Sequence, residues 1–219
     1  MIPLREISGI RYGVCEPDDG DEMVRLLAAV FTLYDPPALA VGITSSEFEE
    51  FVSLFSVSAG REELTIIARD SSTGQMAGAL LTEDATSAPP KGIDQLSDRF
   101  DPILDLLGQL DAQYREGRAI HPEEYLHLAL LGVQDGFTGR DIGQNLVDTC
   151  LDNGGTKGYR FAVAEATNLV SQHIFRKLGF VERAKVSYGD YRLDGVPVFA
   201  SIAEHGGPMS MDRQIARQT

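Results

Sequence analysis

The sequence predicts a fold of the α/β (α+β) class, and three consecutive segments carry this prediction. Residues 125–133 form an apolar run with the length and composition of a strand buried in the middle of a sheet. A turn that contains glycine follows, and then a helical pattern over residues 141–153. A second extended run at residues 160–165 completes a β-α-β unit. Strands and helices are mixed on both sides of this unit, which favours one sheet with packed helices.

The part of the chain before this unit contains both helical and extended patterns. We expect strands at 10–15, 64–69 and 75–81, and helices at 22–33, 44–55 and 96–114. The first helix has apolar residues at spacings of 3, 4, 7 and 8. The second begins at Thr44, where Glu47 completes a capping-box pattern. The sequence Ser72-Thr73-Gly74 predicts a hairpin between the second and third strands.

After the unit we expect a short helix and a closing hairpin. Asn168 is a good N-cap for that helix, and Gly179 supplies the left-handed turn that ends it. Strands at 181–192 and 196–202 are then expected to pair across Leu193-Asp194-Gly195. The apolar side chains of the last strand either cover the core or pair with another subunit. A homodimer is therefore one of two possibilities.

Composition limits the class of protein. A chain of 219 residues with 43% hydrophobic residues can bury a sizeable core, so we expect a single domain over residues 1–219. No run approaches 18 apolar residues and the first residues lack a basic-then-apolar signal, which predicts a cytoplasmic protein without a membrane partner. Cys15 and Cys150 are far apart and are expected in the core, and the histidines show no metal-ligand spacing.

The net charge of −14 has a consequence for partners. No compensating basic patch is visible, which argues against a nucleic-acid partner. An acidic protein is compatible with a cationic small molecule such as an amine. Zinc, P-loop and Rossmann patterns are absent from the sequence.

Residues 168–180 carry a family resemblance. They read Asn168-Leu-Val-Ser171-Gln-His-Ile-Phe175-Arg-Lys177-Leu-Gly179-Phe180. This spacing resembles the late motif of the GNAT superfamily of N-acetyltransferases, whose helix packs beside the pantetheine arm of acetyl-CoA. The resemblance implies the GNAT fold: a central mixed, mostly antiparallel sheet with helices on both faces, splayed at the acetyl-CoA site.

A second resemblance lies in the turn after the apolar run. Free backbone N–H groups at a helix start bind anions, and glycine lets a diphosphate come close. The superfamily uses Gln/Arg-x-x-Gly-x-Gly/Ala here, whereas this chain has Thr138-x-x-Asp141-x-Gly143. Asp141 would repel a diphosphate or cap the helix, and Arg140 could offset the repulsion. The resemblance implies acetyl-CoA as co-substrate, with contacts from Leu131, Gly132, Val133, Thr138, Gly139, Arg140, Asp141, Ile142, Gly143, Asn168, Ser171 and Phe175.

The layout of the whole chain is similar to the arylalkylamine and polyamine branch of that superfamily. The similarity includes Asp35-Pro36-Pro37 before a Glu-rich helix and a long helix before the central strand. It implies transfer of an acetyl group from acetyl-CoA to the primary amine of a small molecule, by direct attack in a ternary complex. A backbone N–H near Leu131 to Val133, where Gly132 permits a bulge, would stabilise the oxyanion.

Three side chains are candidates for proton transfer. The branch uses a glutamate in the second helix region, for which Glu47 is the first choice, although Glu47 is equally the capping partner of Thr44. His127 lies on the central strand and has a suitable ordinary pKa, but a hydrogen-bonded core histidine fits the same position. Phe175 has no proton to give to a departing thiolate, whereas Ser171 and Thr167 match hydroxyl positions of the branch, and Ser171 is the preferred donor. Ser171 is also a small residue suited to close packing, and direct release of the thiolate to solvent would need neither hydroxyl.

Two other functions stay open at this point. Thr138, Asp141 and Phe175 favour a GNAT-fold module that senses an acyl-CoA or binds a partner with weak or no catalysis. A protein N-terminus or lysine is an alternative acceptor. Residues 84–117 speak against that acceptor, since a loop and helix there would roof over the acceptor site.

Overall fold

The structure is a computed structural model that describes residues 1–216, apart from the side chains of residues 56–61. The described residues form an eight-stranded sheet in the order β1-β2-β3-β4-β5-β6-β8-β7. The strands are Ile2–Ile7 (β1), Ile10–Val14 (β2), Ile66–Asp70 (β3), Met76–Asp84 (β4), Tyr125–Val133 (β5), Phe161–Ala166 (β6), Val181–Lys185 (β7) and Met209–Gln214 (β8). The α-helices are Gly20–Tyr34 (α1), Pro36–Val41 (α2), Ser45–Glu62 (α3), Asp101–Arg115 (α4), Ile142–Thr156 (α5) and Leu169–Lys177 (α6).

The sheet is mixed and mostly antiparallel, as predicted. Among the described strands, β5 and β6 make the one parallel pair, and all other neighbours run antiparallel. The paired positions of β5 and β6 stop at His127 and Val163. Beyond this point the two strands separate, which opens the sheet in its middle.

The core has a layer on each face of the sheet. Ile66 belongs to the layer that contains Leu146 of α5, whereas its neighbour Ile67 belongs to the layer that contains Leu27 of α1. Successive side chains of a strand point to opposite faces, so one strand supplies both layers. None of the described helices is both long and apolar enough to cross a membrane.

Capping signals in the sequence correspond to real helix starts. Thr44 and Glu47 form the capping box of α3, in which the Thr44 side chain accepts a hydrogen bond from Glu47 N at 3.3 Å. Asn168 caps α6 by accepting from Ser171 N at 2.9 Å. Both helices therefore begin where the sequence predicts.

The predicted closing hairpin is wrong. Residues 196–202 form no strand; they run into a 3-10 helix at Ala200–His205, and Phe199 is fully buried. The partner of β7 is β8, which also pairs with β6 and so lies inside the sheet. Phe199 and its apolar neighbours therefore cover the core and do not form a strand that could pair with another subunit. The homodimer stays a prediction, and this segment does not support it. The strand β1 and the short helix α2 were not predicted either.

The long connection between β7 and β8 folds back over α4. Tyr188, Tyr191 and Phe199 pack together with Leu106 of α4. The Tyr191 hydroxyl donates to Asp105 Oδ2 at 2.7 Å, which ties the connection to α4. This layer lies behind the end of β6, where the candidate site begins.

Candidate active site

A cavity of about 380 Å³ lies beside the split between β5 and β6. Side chains from α1, α3 and α4 form its outer wall, and β4, β5 and β6 form its inner wall. Residues 84–90 and the turns of α4 from Ile103 to Arg115 also contribute to the lining. The loop and helix expected to roof over the acceptor site therefore do border this cavity.

One wall of the cavity is aromatic. Phe31 stacks on Phe48 with ring centroids 5.1 Å apart, and Phe51 stacks on Phe100 at the same separation. All four rings line the cavity. Such a wall suits an aryl or alkyl group, because it removes apolar surface from water and offers ring faces for stacking.

Asp35 supplies a buried carboxyl group to the cavity. It caps α2 by accepting from Ala38 N at 3.2 Å, and Pro36 and Pro37 fill the positions whose N–H groups would have no partner. Its other oxygen accepts from Thr167 Oγ1 at 2.5 Å. The residue is 6% exposed, and burial raises the pKa of Asp35 to about 6 against the two hydrogen bonds that lower it. A carboxyl with this pKa can exchange a proton near neutral pH.

Thr167, which holds Asp35, is itself held from behind. The hydroxyl of the buried Tyr188 donates to the main-chain oxygen of Thr167 at 2.7 Å. Thr167 directly follows β6 and directly precedes Asn168, the cap of α6. The end of β6, the start of α6 and the long connection thus meet at the Asp35 carboxyl.

His127 lies between two carboxylates on the inner wall. Its Nε2 is 2.6 Å from Glu165 Oε2 and its Nδ1 is 3.1 Å from Glu83 Oε1. Burial lowers the pKa of His127, but the two carboxylates, Glu165 foremost, outweigh that effect and raise it to about 10. The ring is therefore an imidazolium at neutral pH with both nitrogens occupied. It corresponds to the hydrogen-bonded histidine considered above, and this geometry argues against His127 as a general base.

Glu47 is engaged at the start of α3. Its Oε2 accepts from Thr44 N at 2.8 Å and lies 3.2 Å from Arg99 Nη1. The hydrogen bonds from Thr44 lower the pKa of Glu47 to about 2. Among the described residues that line the cavity, Glu47 does not occur. Its position is that of a capping residue, which argues against the catalytic role considered above.

The start of α6 borders the cavity, and contact of its residues with a co-substrate stays a prediction. Asn168, Ser171 and Phe175 all line it. The Ser171 hydroxyl donates to the Asn168 oxygen at 3.0 Å, and Phe175 is buried against Phe180 with ring centroids 4.9 Å apart. Ser171 is thus both a capping residue and a lining residue of the cavity.

The irregularity in β5 lies earlier than expected. The pairing of β4 with β5 shifts at Ala129, whereas Gly132 pairs regularly with Ala79. Gly132 has a packing role, because a Cβ there would lie 3.0 Å from Leu27 Cδ2. Of the predicted oxyanion segment, Leu131 lines the cavity.

The turn before α5 is a glycine turn with an acidic residue at its end. Gly139 and Asp141 both have positive φ, at 76° and 55°. The expected capping by Asp141 is wrong: its side chain caps no backbone N–H and instead accepts from Gln144 Nε2 at 2.9 Å. The Thr138 hydroxyl donates to Asp135 O at 3.0 Å, on the surface of the turn.

Arg140 does not face Asp141's carboxylate. Its guanidinium lies over the Phe137 ring, 5.5 Å from the centroid, with Nη2 3.4 Å from Ser8 O and Nη1 3.9 Å from Asp70. It is therefore held toward the β1–β2 and β3–β4 turns. Gly143, after Ile142, permits close helix packing, because a Cβ there would lie 3.2 Å from Ile174 Cδ1 of α6.

Solved structures share this architecture over nearly the whole chain, although no family model matches the sequence. The C-terminal condensation domain of Ebony, in complex with beta-alanyl-dopamine, superposes with a TM-score of 0.86 at 12% identity, covering 94% of this chain and 99% of that one. Arylalkylamine N-acetyltransferase 2 from Aedes aegypti gives 0.80 at 20% identity, over 95% and 100%. Drosophila melanogaster polyamine N-acetyltransferase gives 0.76 at 17% identity, over 94% and 99%. The chain has the GNAT fold.

Two parts of the structure can be compared with the shape and charge of acetyl-CoA: the opening between β5 and β6, and the turn before α5. The separation of β5 from β6, bordered by Leu131, Asn168 and Ser171, offers a channel for a pantetheine arm. The N–H groups at the start of α5 suit a diphosphate, but Asp141 adds a negative charge there. The opening between β5 and β6 therefore suits a pantetheine arm, and the turn before α5 suits a diphosphate less well.

Sequence reasoning missed Asp35 as a site residue. In the sequence, Asp35 stands before two prolines, which is an N-cap signal. The sequence does not reveal that Thr167, which belongs to another part of the chain, donates a hydrogen bond to Asp35. The acidic partners of His127 were missed for the same reason, since Glu83 and Glu165 lie on β4 and β6. Neighbouring strands bring these groups together, and a sequence pattern does not give strand order.

Proposed function

We propose that this protein transfers an acetyl group from acetyl-CoA to the primary amine of a small molecule, by direct attack in a ternary complex. The observation that carries the proposal is Asp35, a buried carboxyl on the cavity whose pKa is raised to about 6. It lies next to the channel between β5 and β6, so an amine at Asp35 would face a thioester held in that channel.

The proposed chemistry requires three steps. The Asp35 carboxylate takes a proton from the substrate ammonium, which leaves a neutral amine. The amine nitrogen then bonds to the thioester carbon and the carbon–sulfur bond breaks. The nitrogen loses its second proton to form the amide, and the departing thiolate takes up a proton, so that the amide and free thiol are the products. We propose Asp35 as the general base in place of Glu47 and His127. Glu47 is not among the described lining residues of the cavity and its pKa is lowered to about 2, whereas the pKa of His127 is raised to about 10, so its ring already carries the proton.

The remaining roles go to β5 and α6. Past His127 the main chain of β5 has no β6 partner among the described residues, and N–H groups there are available to an oxyanion near Leu131. We propose the Ser171 hydroxyl as the proton donor to the thiolate, because Ser171 lines the cavity and the neighbouring Phe175 has no proton to give. Asn168, Gly139, Ile142 and Gly143 would contact the co-substrate as their elements approach the channel.

The lining supports a small acceptor. The cavity is bordered on its outer side by residues 84–90 and by α4, which leaves little room for a polypeptide chain. Its aromatic wall suits an arylalkyl or alkyl amine. The neighbours named arylalkylamine and polyamine N-acetyltransferases support the same class of acceptor.

One observation favours a second candidate. Asp141 at the start of α5 disfavours the diphosphate of free CoA, but it leaves the pantetheine channel unaffected. A donor thioester that lacks the nucleotide would fit this arrangement, as would a module that senses an acyl-CoA weakly. A condensation reaction of the kind suggested by the Ebony domain with beta-alanyl-dopamine is the enzymatic form of this alternative.

Titration calorimetry and a thiol-release assay separate the candidates. We expect the wild-type protein to bind acetyl-CoA and to release thiol with at least one aryl- or polyamine. We expect Asp141→Gly to tighten binding of acetyl-CoA about tenfold, because it removes a like charge from the turn proposed to hold the diphosphate and suits the positive φ. Turnover with acetyl-pantetheine but not with acetyl-CoA would favour the second candidate. No binding and no turnover with either donor would reject acetyl transfer.

A further inference from the structure

We propose that Glu83, His127 and Glu165 form a second recognition point for the acceptor, and that the acceptor carries a second cationic group which this cluster binds. The acceptor would therefore be a diamine or a related dication. The inference rests on the proposed acetyl transfer and specifies its substrate class. We call these three residues the acidic cluster.

The first argument is charge. With the ring protonated, the acidic cluster contains two carboxylates and one cation, so one negative charge lacks a counter-charge within it. The side chains of Glu83 and Glu165 are only 16% and 15% exposed, and both line the cavity. A poorly solvated charge is costly unless it is paired. A cationic group of a ligand would supply that pair.

The second argument is position. Glu165 precedes Thr167 by two residues, and Thr167 holds the proposed base Asp35. Residues two apart on an extended chain lie on the same face and about 7 Å apart. An amine at Asp35 would thus place its other end at the acidic cluster if four or five methylene groups separated its two nitrogens.

The third argument is the balance of the whole lining. Among the described residues that line the cavity, five carboxylates face two cationic side chains. The carboxylates belong to Asp35, Glu83, Asp84, Asp111 and Glu165, and the cations to Arg115 and His127. Arg115 is paired with Asp111 at 2.7 Å. The excess negative charge therefore lies at Asp35, at Asp84 and in the acidic cluster, and the first and last of these are the proposed ends of the diamine site.

Two alternative roles for the acidic cluster lead to different results. The acidic cluster could serve only to join β4, β5 and β6 where the sheet opens, in which case it affects all acceptors alike. It could instead accept hydrogen bonds from hydroxyl groups of an aryl amine, in which case a phenol would bind better than a second amine. Only a second cation predicts a preference that depends on charge.

The variant Glu83→Gln separates these three roles. It removes the unpaired charge but keeps an acceptor oxygen for His127 and leaves the ion pair of His127 with Glu165 in place. The matched control is Glu50→Gln, an exposed carboxylate of α3 that is not among the described lining residues. The acceptors are 1,5-diaminopentane, its monoamine analogue pentylamine, and tyramine.

For the wild-type protein we expect kcat/KM to be at least tenfold higher for the diamine than for pentylamine. We expect Glu83→Gln to reduce this ratio at least tenfold, the range of one hydrogen bond to a charged group, and Glu50→Gln to leave the ratio within twofold. An equal loss for both amines would show a structural role and overturn the inference. A wild-type preference for tyramine over the diamine would overturn it as well.

Binding without the donor keeps the inference testable if no amine is acetylated. Calorimetry on the same three proteins should then show binding of the diamine that Glu83→Gln weakens at least tenfold and Glu50→Gln does not. This result with no turnover would reject the proposed function and retain the cationic site. Absence of diamine binding to the wild-type protein would overturn the inference, whatever the activity.

Discussion

The substitution Asp35→Asn tests the proposed base most directly. The amide keeps the size of the side chain and one acceptor oxygen, but it cannot take a proton. We expect kcat/KM for amine acetylation at pH 7 to fall about 10²–10⁴-fold, the range that a positioned base contributes. In the wild-type enzyme kcat/KM should rise with pH through about 6, where Asp35 ionises, and this limb should be absent from the variant.

The same substitution should change stability in the opposite direction. The pKa of the Asp35 carboxyl is about 6 in the folded protein, against an ordinary value of 3.8. Below pH 3.8 the group is protonated in both states and carries no cost. As the pH rises through 6 the unfolded state ionises first, so stability falls and the full cost, about 3 kcal/mol at 1.36 kcal/mol per pKa unit, is present above pH 6.

The variant avoids this cost but loses one of two hydrogen bonds. The native carboxyl accepts from Thr167 and from Ala38 N with different oxygens, whereas an amide has one acceptor, and the lost bond is worth about 1 kcal/mol. We therefore expect Asp35→Asn to be about 2 kcal/mol more stable than wild type at pH 7.5 and slightly less stable at pH 4. Urea unfolding at both pH values, with unchanged m-values, measures the two differences.

The result that would refute this reasoning is specific. If Asp35→Asn kept its activity while Glu47→Gln lost about 100-fold, the base would be Glu47, and the capping geometry at Thr44 would not describe the working enzyme. If Asp35→Asn lost both activity and stability at pH 7.5, burial would not destabilise the charged form of Asp35, and its pKa would not be raised.

Two further predictions concern neighbouring packing. Thr167→Val removes the hydrogen bond that favours the charged form of Asp35, so its pKa should rise further and the acidic limb of the kcat/KM profile should move up by about one pH unit; an unmoved limb would contradict the role of this bond. Gly154→Ala should destabilise the protein by about 1–3 kcal/mol in urea unfolding, because its Cβ would lie 2.2 Å from Leu126 Cδ1. The matched helix glycine Gly108 has no atom within 4 Å of a Cβ, so Gly108→Ala should stabilise by about 1 kcal/mol, and equal effects of both changes would refute the packing argument.

Local signals in the sequence predicted the elements that depend on local chemistry. The capping residues Thr44 and Asn168 mark the starts of α3 and α6 correctly. The apolar run of 125–133 predicts β5 with its bounds. These features succeed because a cap or a buried strand is stabilised by residues close together in the chain.

The failures depend on contacts between distant segments. Residues 196–202 are as apolar as a strand, but Phe199 packs on Tyr188 and Tyr191. These two residues are too far from Phe199 in the sequence for a helical or strand periodicity to reveal the contact. The strand β8 contains Ser210 and Asp212 beside two methionines, a pattern too polar to suggest a place inside the sheet. The residues of α6 that the sequence singled out do line the cavity, because their motif is local, and their roles stay a prediction. Asp35 with Thr167, and the partners of His127, could not be predicted because they are brought together from different elements.

The interior place of β8 determines when this protein can become functional. During synthesis β6 has β5 on one side at residues 125–127, but its other side stays unpaired until residues 209–214 have been made. The end of β6 positions Thr167, and through it Asp35. The carboxyl proposed as the base therefore acquires its environment only after this pairing over long sequence separation. Until then one edge of β6 is unpaired, so pairing of the last strand closes that edge and fixes the position of Thr167 at the same time.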